Sequence, residues 1–257
     1  MKCHHAIIVL MCIITTILAK NTNTCSTEEQ LMVKTMIQYE VNPILIKNLF
    51  NCSIHKTTHL EIVKFMLDNG AYIETKDKNH DTRLCQAAQN GEIDIVKLLI
   101  NYDANLDATC SYEKTALHYA TNSNETEIVQ FLLDNGANIE AQNDLSDTSL
   151  CIAAKDGGLE MVDLLLEYGA NPNKKCFSNK TALHYAAEAS LNAIDIAKSL
   201  ILHKANIFAK TYDSKSPLDV AYNFGDTEMM EFLRQEMLSR KYEEIDILQK
   251  LYKNPVY

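Results

Sequence analysis

Apolar and polar positions along the chain fall into two helical signatures that recur in a fixed order. The first is short. Behind Thr82, which can cap a helix, Leu84, Ala87 and Ala88 fall at i, i+3 and i+4 and give one narrow face of small side chains. The second is broader: Ile95, Val96, Leu98 and Leu99 form a stripe suited to a helix packed on both sides. Thr82, Thr115, Thr148 and Thr181 stand 33 residues apart and Ser216 follows after 35, opening TRLCQAA, TALHYAT, TSLCIAA, TALHYAA and SPLDVAY. The second phrase reads EIVKFMLDNGA from residue 61, DIVKLLINYDA from 94, EIVQFLLDNGA from 127, EMVDLLLEYGA from 160 and DIAKSLILHKA from 195. One such helix pair cannot bury its own stripe, so the pattern predicts an all-α array of stacked units. Gly70, Gly136 and Gly169 follow second-phrase helices, where a left-handed residue is wanted; Asp103 and Lys204 take that place at a cost of about 1 kcal/mol each.

The ends are less regular. Residues 6–19 form an uncharged run of 14, about 21 Å as a helix and short of the roughly 30 Å hydrocarbon core. Lys2 precedes the run, Ala19 offers a small residue for cleavage, and a polar stretch follows. This is the pattern of a secretory signal peptide over 1–19, the alternatives being an uncleaved anchor or a buried first helix. Ser26 and Glu29 have capping-box spacing at the head of a helix over 28–39, within an N-terminal segment over 20–40. The array is expected over 41–234 as about six units, with the first degraded to LFNCSIH at 49–55. Residues 226–253 contain neither Gly nor Pro and are expected to hold the last second-phrase helix and a capping helix over 238–252; a partner-binding helix is the alternative there.

Composition narrows the function. Seven Gly and four Pro in 257 residues argue against a turn-rich β fold. A net charge of −10 repels phosphate backbones, and the absence of Trp with scattered Tyr and Phe leaves no stacking platform, so nucleic acid is set aside. No catalytic constellation is found. The chain lacks the nucleophile-elbow, dinucleotide, zincin and phosphate-loop patterns, and no cofactor or metal is implied. Glu61, Asp94, Glu127, Glu160 and Asp195 recur once per unit and read as solvated helix surface rather than an acid–base pair.

The two linked phrases resemble the ankyrin repeat family, whose unit of about 33 residues carries a T-P-L-H-x-A phrase. The resemblance covers roughly residues 40–234. It implies projecting hairpin loops at 72–81, 105–114, 138–147 and 171–180 and protein binding by loop tips and the concave face of the first helices; the missing catalytic motifs already argue against an enzyme. On that face the resemblance places Gln86, Tyr119, Ile152, Tyr185 and Val220, with Tyr112, Leu145, Phe177 and Tyr212 in nearby loops. Tyr112, Tyr119, Ile152, Phe177, Tyr185 and Tyr212 are the expected binding anchors; the alternative is that the Tyr rings pack between repeats.

The family His occurs at His118 and His184, whereas Cys85 and Cys151, and by register Cys52, replace it in alternate repeats. Cys110 and Cys176 follow 25 residues after Cys85 and Cys151, so 81–146 and 147–212 look like a duplicated two-repeat unit. The resemblance implies that the His bonds to the adjoining loop. Cys at that place with a second Cys in the loop suggests a covalent version, pairing Cys85 with Cys110, Cys151 with Cys176 and, more loosely, Cys25 with Cys52. Buried thiols are the alternative reading, and zinc a weaker third. Sequons at Asn51, Asn124 and Asn179 are candidate glycosylation sites. The expected protein is a secreted monomeric binding module for another protein, free of membrane once its signal is removed, and by analogy an effector directed at a host protein. A scaffold of the ER lumen or bacterial periplasm is the alternative.

Overall fold

The computed structural model describes residues 60–68, 71–189 and 191–253. The expected signal peptide, the helix over 28–39, the degraded first phrase, Cys25, Cys52 and Asn51 lie outside the described residues. Backbone contacts divide the chain into two compact units, one comprising residues up to 87 together with 92–105, the other 88–91 together with 106–257. Eleven α-helices occur among the described residues, and no β-ladder beyond the isolated bridge between Lys76 and Thr82.

In the first unit α1 (Leu60–Asp68) packs on α3 (Ile93–Asn101), with Val63, Ile95, Val96 and Leu99 buried. The intervening α2 (Arg83–Gln89) starts where the Thr82 hydroxyl accepts the Cys85 N–H at 3.3 Å. Arg83 is 7% exposed and lies 3.4 Å from Glu92; burial lowers its pKa, and the Glu92 charge offsets part of that cost.

The second unit is two helical layers. α4 (Ala116–Asn122), α6 (Ser149–Asp156), α8 (Ala182–Ala186) and α10 (Pro217–Phe224) carry the first phrase, and each packs on the next. α5 (Thr126–Asp134), α7 (Leu159–Glu167), α9 (Ala193–Leu202) and α11 (Thr227–Lys253) carry the second and stack likewise behind them. Small side chains make the front layer possible: Ala120, Ala154, Ala186 and Ala221 are fully or almost fully buried, so helix axes approach closely. The back-layer stripes, such as Ile128, Val129 and Leu132 in α5, are buried on the faces that the period predicts. All-α architecture built of helix pairs is therefore what the sequence pattern encodes.

Each front helix begins at its phrase-opening hydroxyl. Thr115 and Thr181 form capping boxes with His118 and His184, Ser216 does so with Asp219 and has Pro217 behind it, and Thr148 accepts the Cys151 N–H at 3.3 Å. After the second-phrase helices the left-handed positions are real. Gly136 and Gly169 have φ of 90° and 85°, while Asp103 and Lys204 are forced to 60° and 69°. The C-terminal segment differs from the reading of two helices: α11 runs unbroken for 27 residues, because nothing between Asp226 and Lys253 interrupts it.

Lys204 bears a Cβ in a conformation that costs about 1 kcal/mol relative to Gly. Lys204→Gly should therefore raise stability by about 0.5–1 kcal/mol, read as a higher urea midpoint with unchanged slope, since the looser unfolded chain returns part of the gain.

Candidate functional site

The chemistry-bearing residue of the first phrase sits three positions after the opening hydroxyl, on the first turn of each front helix. His118 Nδ1 accepts the Thr115 N–H at 3.1 Å and its Nε2–H donates to the Asp147 carbonyl at 3.1 Å, one repeat further on. His184 repeats this: Nδ1 accepts from Thr181 N–H at 3.1 Å and Nε2–H donates to the Lys215 carbonyl at 3.1 Å. The two carbonyls thus fix the proton on Nε2 of each ring. Both imidazoles are completely buried, which lowers their pKa, in His184 to about 4. They are neutral struts that tie a helix to the next loop.

In the repeat between them a covalent bond does this work. Cys151 of α6 is joined to Cys176 of the following loop, with Cα atoms 6.8 Å apart and both side chains buried. Cys85 in the first unit and Cys110 in the second are likewise each disulfide-bonded. The matched separations of 25 residues are thus accompanied by disulfide chemistry at all four cysteines.

Asp147 gathers the neighbouring elements. Its carboxylate Oδ1 accepts the Phe177 N–H at 3.1 Å and the Tyr185 hydroxyl at 2.7 Å, while its own N–H donates to Asn143 Oδ1 at 2.9 Å. Burial and this anionic partner push the Tyr185 phenol well above its ordinary pKa, and the Lys180 ammonium lies 5.1 Å from the ring centroid. The Tyr185 ring is therefore core. Tyr119, Ile152 and Tyr185 are 7%, 8% and 3% exposed, which corrects the expectation of an exposed stripe across consecutive repeats. Val220 is buried too, Gln86 in the first unit is half-buried, and the loop members of the expected surface are the exposed ones.

Those loop members form a row. Tyr112 is 71% exposed, Leu145 51%, Phe177 52% and Tyr212 80%, one per repeat. Backbone bonds join adjacent tips: Asp144 N–H donates to the Tyr112 carbonyl at 3.0 Å and Tyr212 N–H to the Ser178 carbonyl at 3.1 Å. Tyr112 and Ser178 have φ of 59° and 55° inside one-turn 3₁₀ segments that bring the tips outward. Both of the second unit's sequons are described. Asn124 is exposed in the connection between α4 and α5, whereas the Asn179 amide donates to the Lys210 carbonyl at 3.0 Å.

A second set of cross-repeat ties was absent from the sequence reading. Within the second unit Asp107, Glu140 and Asn173 side chains accept the backbone N–H of Asn138, Asn171 and Asn206 at 2.9, 2.7 and 2.7 Å. Within the first unit Glu74 accepts that of Asn105 at 2.7 Å. Residues 74, 107, 140 and 173 keep the 33-residue stride, which is the signal that could have found them. Among the described residues no group of three metal-capable side chains comes together, and no helix is long and apolar enough to cross a membrane.

A row of tied loops standing on two helical layers defines a helical-repeat scaffold. The ankyrin-repeat description, ankyrin repeats (3 copies), matches residues 49–143 and again 150–246, together about three quarters of the chain, which belongs to the ankyrin repeat family. The family's repeats typically serve as non-enzymatic protein-interaction modules. No curated protein matches the chain.

Two tests follow from the alternating struts. Non-reducing peptide mapping should recover the 151–176 link and join the 85 and 110 peptides. Cys151→Ala with Cys176→Ala should cost roughly 3 kcal/mol in an oxidised sample, from the freed 25-residue loop. The histidines make the opposite repeats acid-sensitive. Unfolded imidazole binds its proton near 6.5 whereas folded His184 resists until about 4, so this stabilisation is complete above 6.5 and is lost as pH falls toward 4. His184→Gln, which keeps a side-chain acceptor for the capping box, should be less stable than wild type at pH 7.5 and show a smaller further loss at pH 4.5. Equal losses in both proteins would refute the strut.

Proposed function

We propose that this chain is a secreted module that captures another protein through its row of loop tips. The observation that carries the reading is the exposure of Tyr112, Leu145, Phe177 and Tyr212 at equivalent places of successive loops, which are held by hydrogen bonds to their neighbours. Rigid aromatic anchors lose little conformational entropy on binding, which is why such residues dominate interface energetics. Tyr119, Ile152 and Tyr185 serve beneath them as support.

Export is supported by the apolar run at 6–19 and by cysteines used as disulfides, which persist in oxidising compartments. In a eukaryotic secretory route Asn124, exposed and without a competing amide bond, is the sequon proposed to carry glycan; Asn179 spends its amide on Lys210. An exported ankyrin array acting on a host protein is the biological setting that we propose.

Expression of the full chain in secreting eukaryotic cells tests the reading. The mature protein should appear in the medium beginning near residue 20, with a glycan lost in Asn124→Gln. Tyr112→Ser, Phe177→Ser and Tyr212→Ser combined should abolish capture of its partner from the target cell surface or lysate and shift the thermal midpoint by less than about 2 °C, because these side chains pack on little. Tyr185→Ser should instead lower the midpoint by several degrees. Retained capture in the loop-tip triple variant would sink the proposal.

A further inference from the structure

The four loops of the second unit carry an uneven charge. Residues 106–114 have a formal charge of −1, 138–147 of −3, 171–180 of +3 and 206–215 of +1, in a chain whose total is −10. The two basic loops lie side by side, since Tyr212 N–H donates to the Ser178 carbonyl and the Asn179 amide to that of Lys210. The sign reverses abruptly across one neighbouring pair, where the Gln142 amide donates to the Lys175 carbonyl at 2.9 Å. Local carboxylates neutralise only part of the positive end. Lys180 pairs with Glu188 at 2.6 Å and Lys210 with Asp219 at 3.3 Å. Lys175 spends its ammonium on the carbonyls of Asn179 and Lys210, which carry no net charge, and among the described residues no carboxylate lies within ion-pair distance of Lys174 or Lys215. Phe177 and Tyr212 stand exposed on the same two loops as these three lysines, where Asp213 is the one carboxylate of the loops themselves.

We infer that the basic end of this row, formed by Lys174, Lys175 and Lys215 around Phe177 and Tyr212, receives an acidic protein segment bearing apolar side chains. The inference rests on the loop-tip reading and adds the chemistry of its partner. The ammonium groups supply complementary charge and steer the encounter, the two rings supply desolvated contact, and the acidic loop at 138–147 repels the same segment in the reverse placement. The two acidic loops beside it, at 106–114 and 138–147, disfavour an acidic partner, so along this row the patch also sets where the segment lands.

The test uses the purified full chain and two random copolymers, glutamate with tyrosine and lysine with tyrosine, with polyglutamate and heparin as further probes. The glutamate–tyrosine copolymer should bind at least about tenfold more tightly than the other three and weaken by about tenfold as salt rises from roughly 50 to 200 mM. Lys174→Glu with Lys215→Glu should weaken it by about tenfold or more, and the Lys174→Ala with Lys215→Ala pair by less, with Asp144→Asn unchanged. Equal binding of acidic and basic copolymers overturns the inference, as does full binding by the charge-reversed pair. Tighter binding of heparin overturns it in favour of a general polyanion site. If Phe177→Ser with Tyr212→Ser abolishes capture of the natural partner while charge reversal leaves it intact, the charge assignment fails and the loop-tip reading stands. If neither pair affects that capture, both fail.

Discussion

The structure depends on one contact per repeat, made by the residue three places after the capping hydroxyl. That side chain starts its helix and reaches the loop of the next repeat. His118 and His184 do both with the two ring nitrogens, one accepting from the helix N-terminus and the other donating across. Cys151 contributes its N–H to the cap and its sulfur to the loop. A loop projecting from a thin helical stack has little core of its own, so without such a tie its backbone polar groups would be left to water and its tip would move freely. Asp219 in α10 closes a capping box with Ser216 instead, and there the chain turns directly into α11.

Alternation of the two struts gives the array a period of 66 residues laid over the basic 33. It reappears in side chains that have no part in the struts. Lys114 lies over Tyr119 as Lys180 does over Tyr185, and the one-turn segments at Ser111–Glu113 and Phe177–Asn179 share left-handed residues. A duplicated pair would inherit all of these at once. The chemical consequence is that neighbouring repeats respond to different stresses. A neutral buried imidazole is undone by protons and a disulfide by reductant, so neither acid nor reduction alone removes every tie in the second unit.

The stride of apolar residues and the capping phrase made the fold legible, because both are local consequences of helix geometry. The left-handed positions at Asp103 and Lys204 were legible too, since register alone puts them where Gly136 and Gly169 stand. Burial at Tyr119, Ile152 and Tyr185 was not. Helical periodicity says which residues share a face but not whether a loop of a neighbouring repeat lies over it, and the Tyr185 hydroxyl is claimed by Asp147, 38 residues away. The acceptor side chains of Glu74, Asp107, Glu140 and Asn173 escaped for a different reason: Asp, Glu and Asn recur there by function rather than by type, so no phrase marks them.

Rigidity and reach compete in a binding loop, and Asp147 shows how they are reconciled. One buried carboxylate oxygen holds the Phe177 N–H, so the backbone under that ring is fixed while the ring itself remains 52% exposed. The Asp147 carbonyl receives His118 from the repeat before, and its carboxylate receives Tyr185 from the repeat after. Three consecutive repeats therefore converge on one residue, and the position of a solvent-facing anchor is set by buried groups that a partner never touches. Such preorganisation lowers the ordering cost of association. It also gives aromatic residues two environments here with one logic: Tyr119 and Tyr185 stay inside to hold the frame, so that Tyr112, Phe177 and Tyr212 on the tips can stay outside to be used.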